Sequence, residues 1–263
     1  MRDTTKLFNY TFGKKTVKVY DLQTKRLISS NIEIDGTFNA PGSVCMNPSC
    51  FYLAGINDKS RSTYMLHLPS FEVTKKADLI AVRCGHAIIK YKNDVYAFAG
   101  YDGKLIKTCE FYNINNDTWT EIPDMPKASR LCNAVIIKKR IFISGYDLAT
   151  VFAFSPENQT YDDLQLSCMG NPKFMFSLGN RIYLQKNADE AIVCDENGTL
   201  QSHFKAPTLE LGIHGGMVFY EGTVYFTIVG AEDAYYYFDL TMNKIKKIGY
   251  LQPSSFEEED EPF

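Results

Sequence analysis

Short apolar, aromatic-rich segments alternate with polar, turn-forming segments along the whole chain. A large apolar residue followed by an aromatic one recurs six times, at Leu7-Phe8, Phe51-Tyr52, Val95-Tyr96, Ile141-Phe142, Ile182-Tyr183 and Val224-Tyr225. The copies start 41 to 46 residues apart. Sustained apolar spacing of the helical type is absent, and the abundant Tyr, Phe, Val, Ile and Thr favour strands. The pattern predicts an all-β protein built from repeats.

A second pattern runs in phase with the first. Two large apolar residues lie seven positions apart, and the residues between them are mostly those of hairpin turns, such as Asn, Asp, Pro, Ser, Gly and Thr. The six pairs are Tyr20/Leu27, Leu66/Val73, Tyr112/Trp119, Phe154/Tyr161, Val193/Leu200 and Phe238/Ile245. Six copies of about four antiparallel strands predict a six-bladed β-propeller, in which neighbouring sheets bury each other's faces. A β-sandwich with evenly spaced strands is the alternative.

The repeat predicts a single propeller domain over residues 1–250, followed by an acidic tail, 251–263. The predicted blades cover residues 1–34, 37–80, 81–126, 127–168, 170–207 and 208–250. In the third copy we expect strands at 87–90, 95–99, 108–112 and 118–121. The first copy begins at its second strand, so either the first blade has three strands or further sequence precedes Met1. Pro253 and the acidic run make the tail a poor strand for closing the ring.

Composition and charge narrow the function classes. Hydrophobic residues make up 45% of the chain, charged residues 22%, and the net charge is −3, which is ordinary globular composition and argues against nucleic acid as a partner. No apolar run approaches the roughly 20 residues of a membrane helix, and no secretory signal is visible. Seven irregularly spaced cysteines suit reduced thiols in a cytoplasm.

The third copy resembles the kelch repeat. It carries Arg83 and His86 near the first strand, Ala99-Gly100 at the end of the second, Tyr112 and Trp119, and then Met125-Pro126. The glycine pair is weakened in every copy, and Trp119 is the only tryptophan. The resemblance implies a kelch-type propeller that docks another protein without catalysis, as a scaffold, with a cytoskeletal or ciliary assembly as one setting. Related kelch rings hold acidic segments with arginines on their loop face.

The loops after the second strands and the connectors between blades are predicted to open on one face, which is the default binding surface. The second-to-third loops cover residues 55–62, 100–107, 145–150, 186–190 and 230–234. The partner-binding candidates are Arg61, Arg83, Tyr101, Asp102, Lys104, Arg130, Tyr146 and Asp147, since Tyr and Arg are frequent anchors of protein interfaces. Arg83 and Arg130 both match the arginine of the kelch pattern. Alternatively, both pair with a neighbouring blade's carboxylate or carbonyls.

Motifs for chemistry are scarce, so no enzyme activity, cofactor or metal is predicted. The sequence contains no HxxxH, CxxC, nucleotide-binding or nucleophile-elbow pattern, and Cys45 with Cys50 is a weak zinc pair. Two alternatives stay open: an oxidase or sugar-modifying enzyme with its site at the propeller axis, and the substrate-recognition part of a longer ubiquitin-ligase adaptor. The run Glu257–Glu261 is either a solvated end or a hook for a basic partner.

Overall fold

The computed structural model describes residues 5–166, 172, 174–187, 189–205, 213–229, 234–239 and 244–250. Within these residues, 23 strands form six antiparallel sheets, five of four strands and one of three. The prediction of an all-β, six-bladed propeller is confirmed. No helix in these ranges is long and apolar enough to cross a membrane.

The first blade contains β1 (Lys6–Tyr10), β2 (Thr16–Asp21) and β3 (Arg26–Asn31). The second contains β4 (Gly42–Asn47), β5 (Cys50–Ala54), β6 (Thr63–His67) and β7 (Val73–Lys76). The third contains β8 (Ala87–Tyr91), β9 (Asp94–Tyr101), β10 (Leu105–Asn113) and β11 (Thr118–Ile122). The fourth contains β12 (Asn133–Ile137), β13 (Arg140–Ser144), β14 (Phe152–Ser155) and β15 (Thr160–Asp163). The fifth contains β16 (Met175–Leu178), β17 (Arg181–Gln185), β18 (Glu190–Asp195) and β19 (Leu200–Lys205), and the sixth contains β20 (Ile213–Tyr220), β21 (Thr223–Val229), β22 (Ala234–Asp239) and β23 (Lys244–Tyr250).

The recurring apolar-aromatic pair is the residue pair that joins neighbouring blades. Successive side chains of a strand point to opposite faces, so one member of the pair packs on the preceding blade and the other on the following blade. In the second blade, Phe51 lies 5.3 Å from Phe8 of the first blade, between ring centroids, and Tyr52 lies 4.8 Å from Tyr112 of the third. The buried apolar residues form six clusters, each shared by two adjacent blades.

The first blade closes the ring with three strands. Its β1 carries Leu7-Phe8, which makes β1 the counterpart of the second strand in the other blades. Leu7 packs with Val218 and Tyr235 of the sixth blade, and the Thr227 hydroxyl donates to the Phe8 carbonyl at 3.1 Å. Among the described residues, no strand pairs with β1 on its axial side, so β1 helps to line the cavity at the axis.

The axial cavity has a volume of about 670 Å³ and lies between β1 and the innermost strands of the other blades. Its described lining is mainly apolar and includes Lys6, Lys90 and Lys92, with no carboxylate. The Lys90 ammonium donates to the Met46 carbonyl at 2.8 Å, and Lys92 lies 4.0 Å from Glu157. Lys90 and Lys92 are therefore both engaged by other groups of the protein.

The connectors that enter the second, third and fourth blades share one corner geometry. Ala40, Gly85 and Leu131 all have positive φ, at 52°, 57° and 50°. The Gly85 amide donates to the Ala40 carbonyl at 2.7 Å, and the Cys132 amide donates to the Gly85 carbonyl at 3.1 Å. These hydrogen bonds tie successive connectors to one another and fix the direction in which their side chains point.

Candidate docking face

The connectors and the loops after the second strands meet at one end of the blades. Cys84 and Tyr101 exchange two backbone hydrogen bonds, of 3.0 and 2.9 Å, and the Tyr146 amide donates to the Arg130 carbonyl at 2.8 Å. Tyr101 ends the second strand of the third blade, and Tyr146 follows the second strand of the fourth. The connector that carries Arg130 therefore lies between loops of two blades.

Arg130 lies between two tyrosine rings. Its guanidinium carbon is 5.2 Å from the ring centroid of Tyr101 and 5.2 Å from that of Tyr146. All three side chains are partly exposed, and the buried Nε atom of Arg130 has no hydrogen-bond partner among the described residues. Cation–π attraction holds the guanidinium in place, so a charged donor is oriented at the surface before any partner arrives.

The scaffold under this cluster is rigid because Ser129 is fully buried and hydrogen-bonded on several sides. Its hydroxyl donates to the Tyr146 carbonyl at 2.7 Å. Its amide donates to the Ile106 carbonyl at 3.1 Å, and its carbonyl accepts from Gly100 at 2.8 Å. At Gly145 a Cβ atom would lie only 2.5 Å from the Ser129 hydroxyl and 2.7 Å from the Cys132 sulfur, which explains the glycine at this close approach.

The remaining exposed candidates lie in the loops after the second strands of the second, third and fourth blades. Asp102 and Lys104 form the turn between β9 and β10, where the Asp102 carboxylate accepts from the Lys104 amide at 3.2 Å. The exposed Asp147 accepts a hydrogen bond from Lys127 through its backbone carbonyl. Arg61 is exposed in the neighbouring loop of the second blade, where its carbonyl accepts from the Leu79 amide at 2.9 Å.

Arg83 differs from the other candidates because it is 1% exposed. One terminal nitrogen donates to the Ala99 and Thr108 carbonyls, at 2.7 and 2.8 Å, and the other pairs with Glu110 at 2.7 Å. All of these acceptors lie in the third blade, not in a neighbouring one. The guanidinium holds the blade together and is not available to a partner, so Arg83 is removed from the docking face.

Arg83 and Arg130 are not equivalent positions, although both precede a first strand. Taking the positive-φ corners Gly85 and Leu131 as equivalent makes Arg130 the counterpart of Cys84, whereas Ser129 is the counterpart of Arg83. A shift of one residue turns the side chain to the opposite side of the connector. The first arginine therefore points into the blade, and the second points to the surface.

Sequence reasoning missed two buried residues that hold the connectors between blades in place. Glu110 is 1% exposed and accepts hydrogen bonds from Arg83 and from the Ile80 and Ala81 amides, at 2.7 and 3.4 Å. The sequence signal for Glu110 was a carboxylate in a strand that otherwise forms the core. Because a buried charge needs a buried partner, such a carboxylate indicates an ion pair with a buried basic residue. Ser129 carries no comparable signal, since serine is ordinary in connectors.

Electrostatics near Arg130 leave the neighbouring thiol neutral. Burial and the charge of Asp58 raise the pKa of Cys84 to about 11, and Arg130 opposes this only in part. At neutral pH the Cys84 side chain is therefore a neutral thiol, and it does not form an ion pair with the Arg130 guanidinium. In the described part of the chain, no group of three or more His, Cys, Asp or Glu side chains could hold a metal ion.

Some sequence predictions fall outside the described residues. These are most of the loop at 230–234 and the tail 251–263 with its run Glu257–Glu261.

The ring of six sheets, with tyrosine and arginine on its loop face, is typical of a propeller that binds proteins. The kelch motif model matches residues 83–126. The chain is 23% identical over 141 residues to Kelch repeat and BTB domain-containing protein 2 of Ectromelia virus (strain Moscow), and the match covers 52% of this chain and 25% of that protein. It is 31% identical over 64 residues to Kelch-like protein 21 of Danio rerio, covering 24% of this chain and 10% of that protein.

These matches and the six-bladed fold support assignment of the chain to the kelch-repeat family. The matched segments span only a quarter and a tenth of the two relatives. The family assignment therefore supports a protein-interaction propeller for this chain. It does not extend any activity of the longer relatives to it.

Proposed function

We propose that this protein is a non-catalytic docking propeller whose loop face binds an acidic segment of a partner protein. The centre of the docking face is the cluster Tyr101–Arg130–Tyr146, and Arg61, Asp102, Lys104 and Asp147 form its rim. The observation that carries the proposal is the guanidinium of Arg130, held 5.2 Å from two tyrosine rings. A fixed planar guanidinium suits a carboxylate, which it can bind through two parallel hydrogen bonds.

The proposal is tested with a phage-displayed library of random 12-residue peptides, selected on the folded protein. We expect the enriched peptides to contain Asp or Glu, and calorimetry to give about 30-fold weaker binding to Arg130→Ala, because truncating an interface arginine costs about 2 kcal/mol. Arg130→Lys keeps the charge but loses the planar stack, so its affinity should fall between the two.

The matched control is Arg26→Ala, which removes an exposed arginine from the first blade and should leave peptide affinity unchanged. Equal binding of the peptides to Arg130→Ala and the unsubstituted protein would remove the cluster from the site. Affinity purification with lysine crosslinking from the source cell then identifies the partner. Crosslinks at Lys104 support the loop face, whereas crosslinks confined to Lys139, in the turn between β12 and β13, contradict it.

Two alternatives are weighed against this function. A recognition role within a longer ubiquitin-ligase adaptor is favoured by the match to a relative whose name includes a BTB domain, and it uses the same docking face. An enzyme at the axis is favoured by the cavity volume of about 670 Å³, which suits a small molecule. Its described lining, however, offers lysines and no pair of carboxylates for acid–base catalysis. A cytoplasmic, cytoskeletal or ciliary location and a basic partner for Glu257–Glu261 stay predictions.

A further inference from the structure

A cysteine, a histidine and a threonine form a hydrogen-bonded chain in the second blade, away from the docking face. Cys50 begins β5, and His67 ends β6 directly opposite it in the strand pair. The Cys50 sulfur lies 3.3 Å from His67 Nδ1, and both side chains are partly exposed. The loop 55–62 follows the other end of β5, so this cluster and the docking loops lie at opposite ends of the strand.

The third residue orients the imidazole. His67 Nε2 lies 3.2 Å from the Thr74 hydroxyl oxygen. When Nδ1 accepts a hydrogen bond from the Cys50 thiol, the ring is neutral, carries its hydrogen on Nε2 and donates a hydrogen bond to the Thr74 hydroxyl. The backbone also holds both strand ends, because the His67 amide donates to the Glu72 carbonyl at 2.8 Å and the Leu68 amide donates to the Ser49 carbonyl at 2.9 Å.

A nucleophile next to a base that a third group orients is the arrangement of activated thiols and hydroxyls in enzymes. Burial raises the pKa of Cys50, so the resting form is the thiol, and its reactivity depends on removal of the proton by His67. The other described cysteines lie in different surroundings. Cys45 donates to the Asn47 carbonyl at 3.2 Å, Cys84, Cys109 and Cys194 are buried, and burial raises the pKa of Cys132 to about 12.

We propose that Cys50 is a covalent modification site for soft carbon electrophiles, with His67 as the general base and Thr74 as a positioning residue. With iodoacetamide as the electrophile, the sulfur forms a bond to the methylene carbon while the carbon–iodine bond breaks. Iodide leaves with the bonding electron pair. The thiol proton passes to His67 Nδ1 and from there to water, which restores the neutral imidazole.

The test measures the rate at which iodoacetamide modifies each cysteine of the folded protein at pH 7, by peptide mapping and mass spectrometry. We expect Cys50 to react about 100-fold faster in the unsubstituted protein than in His67→Gln, which is the lower end of the range for general-base catalysis. Thr74→Val should slow Cys50 several-fold without removing the base. In 6 M guanidinium chloride the difference between these proteins should disappear, because it depends on folding.

Cys45 supplies the internal reference, since it lies in the neighbouring strand and is also partly exposed. Its rate should be the same in all three proteins. If Cys50 in the folded, unsubstituted protein reacts no faster than in His67→Gln, the proposal is overturned. It is equally overturned if Thr74→Val and His67→Gln both fold, by circular dichroism, and leave the rate at Cys50 unchanged.

Discussion

Arg83 and Glu110 form a buried ion pair in the third blade. Replacing Glu110 with Gln leaves the buried guanidinium without its counter-charge, and removing one partner of such a pair costs about 3–5 kcal/mol. We therefore expect Glu110→Gln to lower the free energy of unfolding by that amount, measured by urea denaturation.

Glu121 provides the control for this prediction because it lies directly opposite Glu110 in the strand pair and is exposed. Glu121→Gln should change the stability by no more than about 0.5 kcal/mol. A loss below about 1 kcal/mol for Glu110→Gln would show that the pair does not support the blade.

His86 makes the stability of the fold depend on pH. It is 5% exposed, its two ring nitrogens have no hydrogen-bond partner among the described residues, and Gly42 leaves the space that its ring occupies. Burial, aided by the charge of Arg83, lowers its pKa from 6.5 to about 3. Between about pH 6.5 and pH 3, His86 is therefore protonated in the unfolded chain but neutral in the folded protein. The free energy of unfolding falls over this range by about 1.4 kcal/mol for each unit by which the pH drops.

His86→Gln removes this titration. Urea denaturation at pH 6.5 and pH 5 should show that the unsubstituted protein loses about 2 kcal/mol more than the variant over that interval. His203→Gln, at an exposed histidine, should keep the pH dependence of the unsubstituted protein. The same slope in all three proteins would mean that His86 is protonated in the folded state.

At the scale of elements, the seven-residue spacing predicted hairpins because an antiparallel turn of this length places the two residues opposite each other. Tyr20 faces Leu27, Leu66 faces Val73, and Tyr112 faces Trp119. Phe154/Tyr161 and Phe238/Ile245 are also direct partners. Two residues before the second member, the described turns have positive φ, at Lys25, Phe71, Asp117, Gln159 and Gly198. Asp and Gly tolerate this conformation more readily than most residues.

The fifth blade departs from this rule because a bulge shifts its last strand pair. Val193 faces Ser202, and Leu200 faces Cys194 instead, so Leu200 is 47% exposed rather than packed. The spacing in the sequence is unchanged, since a bulge alters which residues face each other without altering their separation along the chain. Periodicity therefore predicts the existence of the hairpin but not its register.

The residue types and loops of the proposed docking face were named from the sequence, but the contacts between these residues were not. Tyr101, Arg130 and Tyr146 could be named because tyrosine and arginine in rigid loops are typical binding residues. Their stacking depends on how two blades approach, which spacing does not encode. Arg83 is buried and Arg130 is partly exposed because their positions in the connector differ by one residue. The buried partner of Arg83 is Glu110, which lies 27 residues further along the chain.

At the scale of the whole molecule, stability depends on ring closure, because each blade packs on two neighbours. The first blade has three described strands, one fewer than each of the other blades. It nevertheless contributes to the apolar clusters on both of its sides. Trp119 lies in the cluster between the second and third blades, where its indole donates to the Ala77 carbonyl at 3.1 Å. Because Trp119 is the only tryptophan, tryptophan fluorescence reports on the interface between the second and third blades, which does not include the first blade.

Phe8→Ala tests whether the ring unfolds as one unit. Phe8 is buried against Phe51 across the interface of the first two blades, so its truncation should lower the free energy of unfolding by about 3–5 kcal/mol. If closure couples the blades, Trp119 fluorescence and far-ultraviolet circular dichroism shift together to lower urea concentration. Phe12→Ala, at a phenylalanine that is 58% exposed in the same blade, should shift neither signal. A Trp119 transition that stays in place while part of the dichroism is lost would mean that the first blade separates from a ring that remains folded.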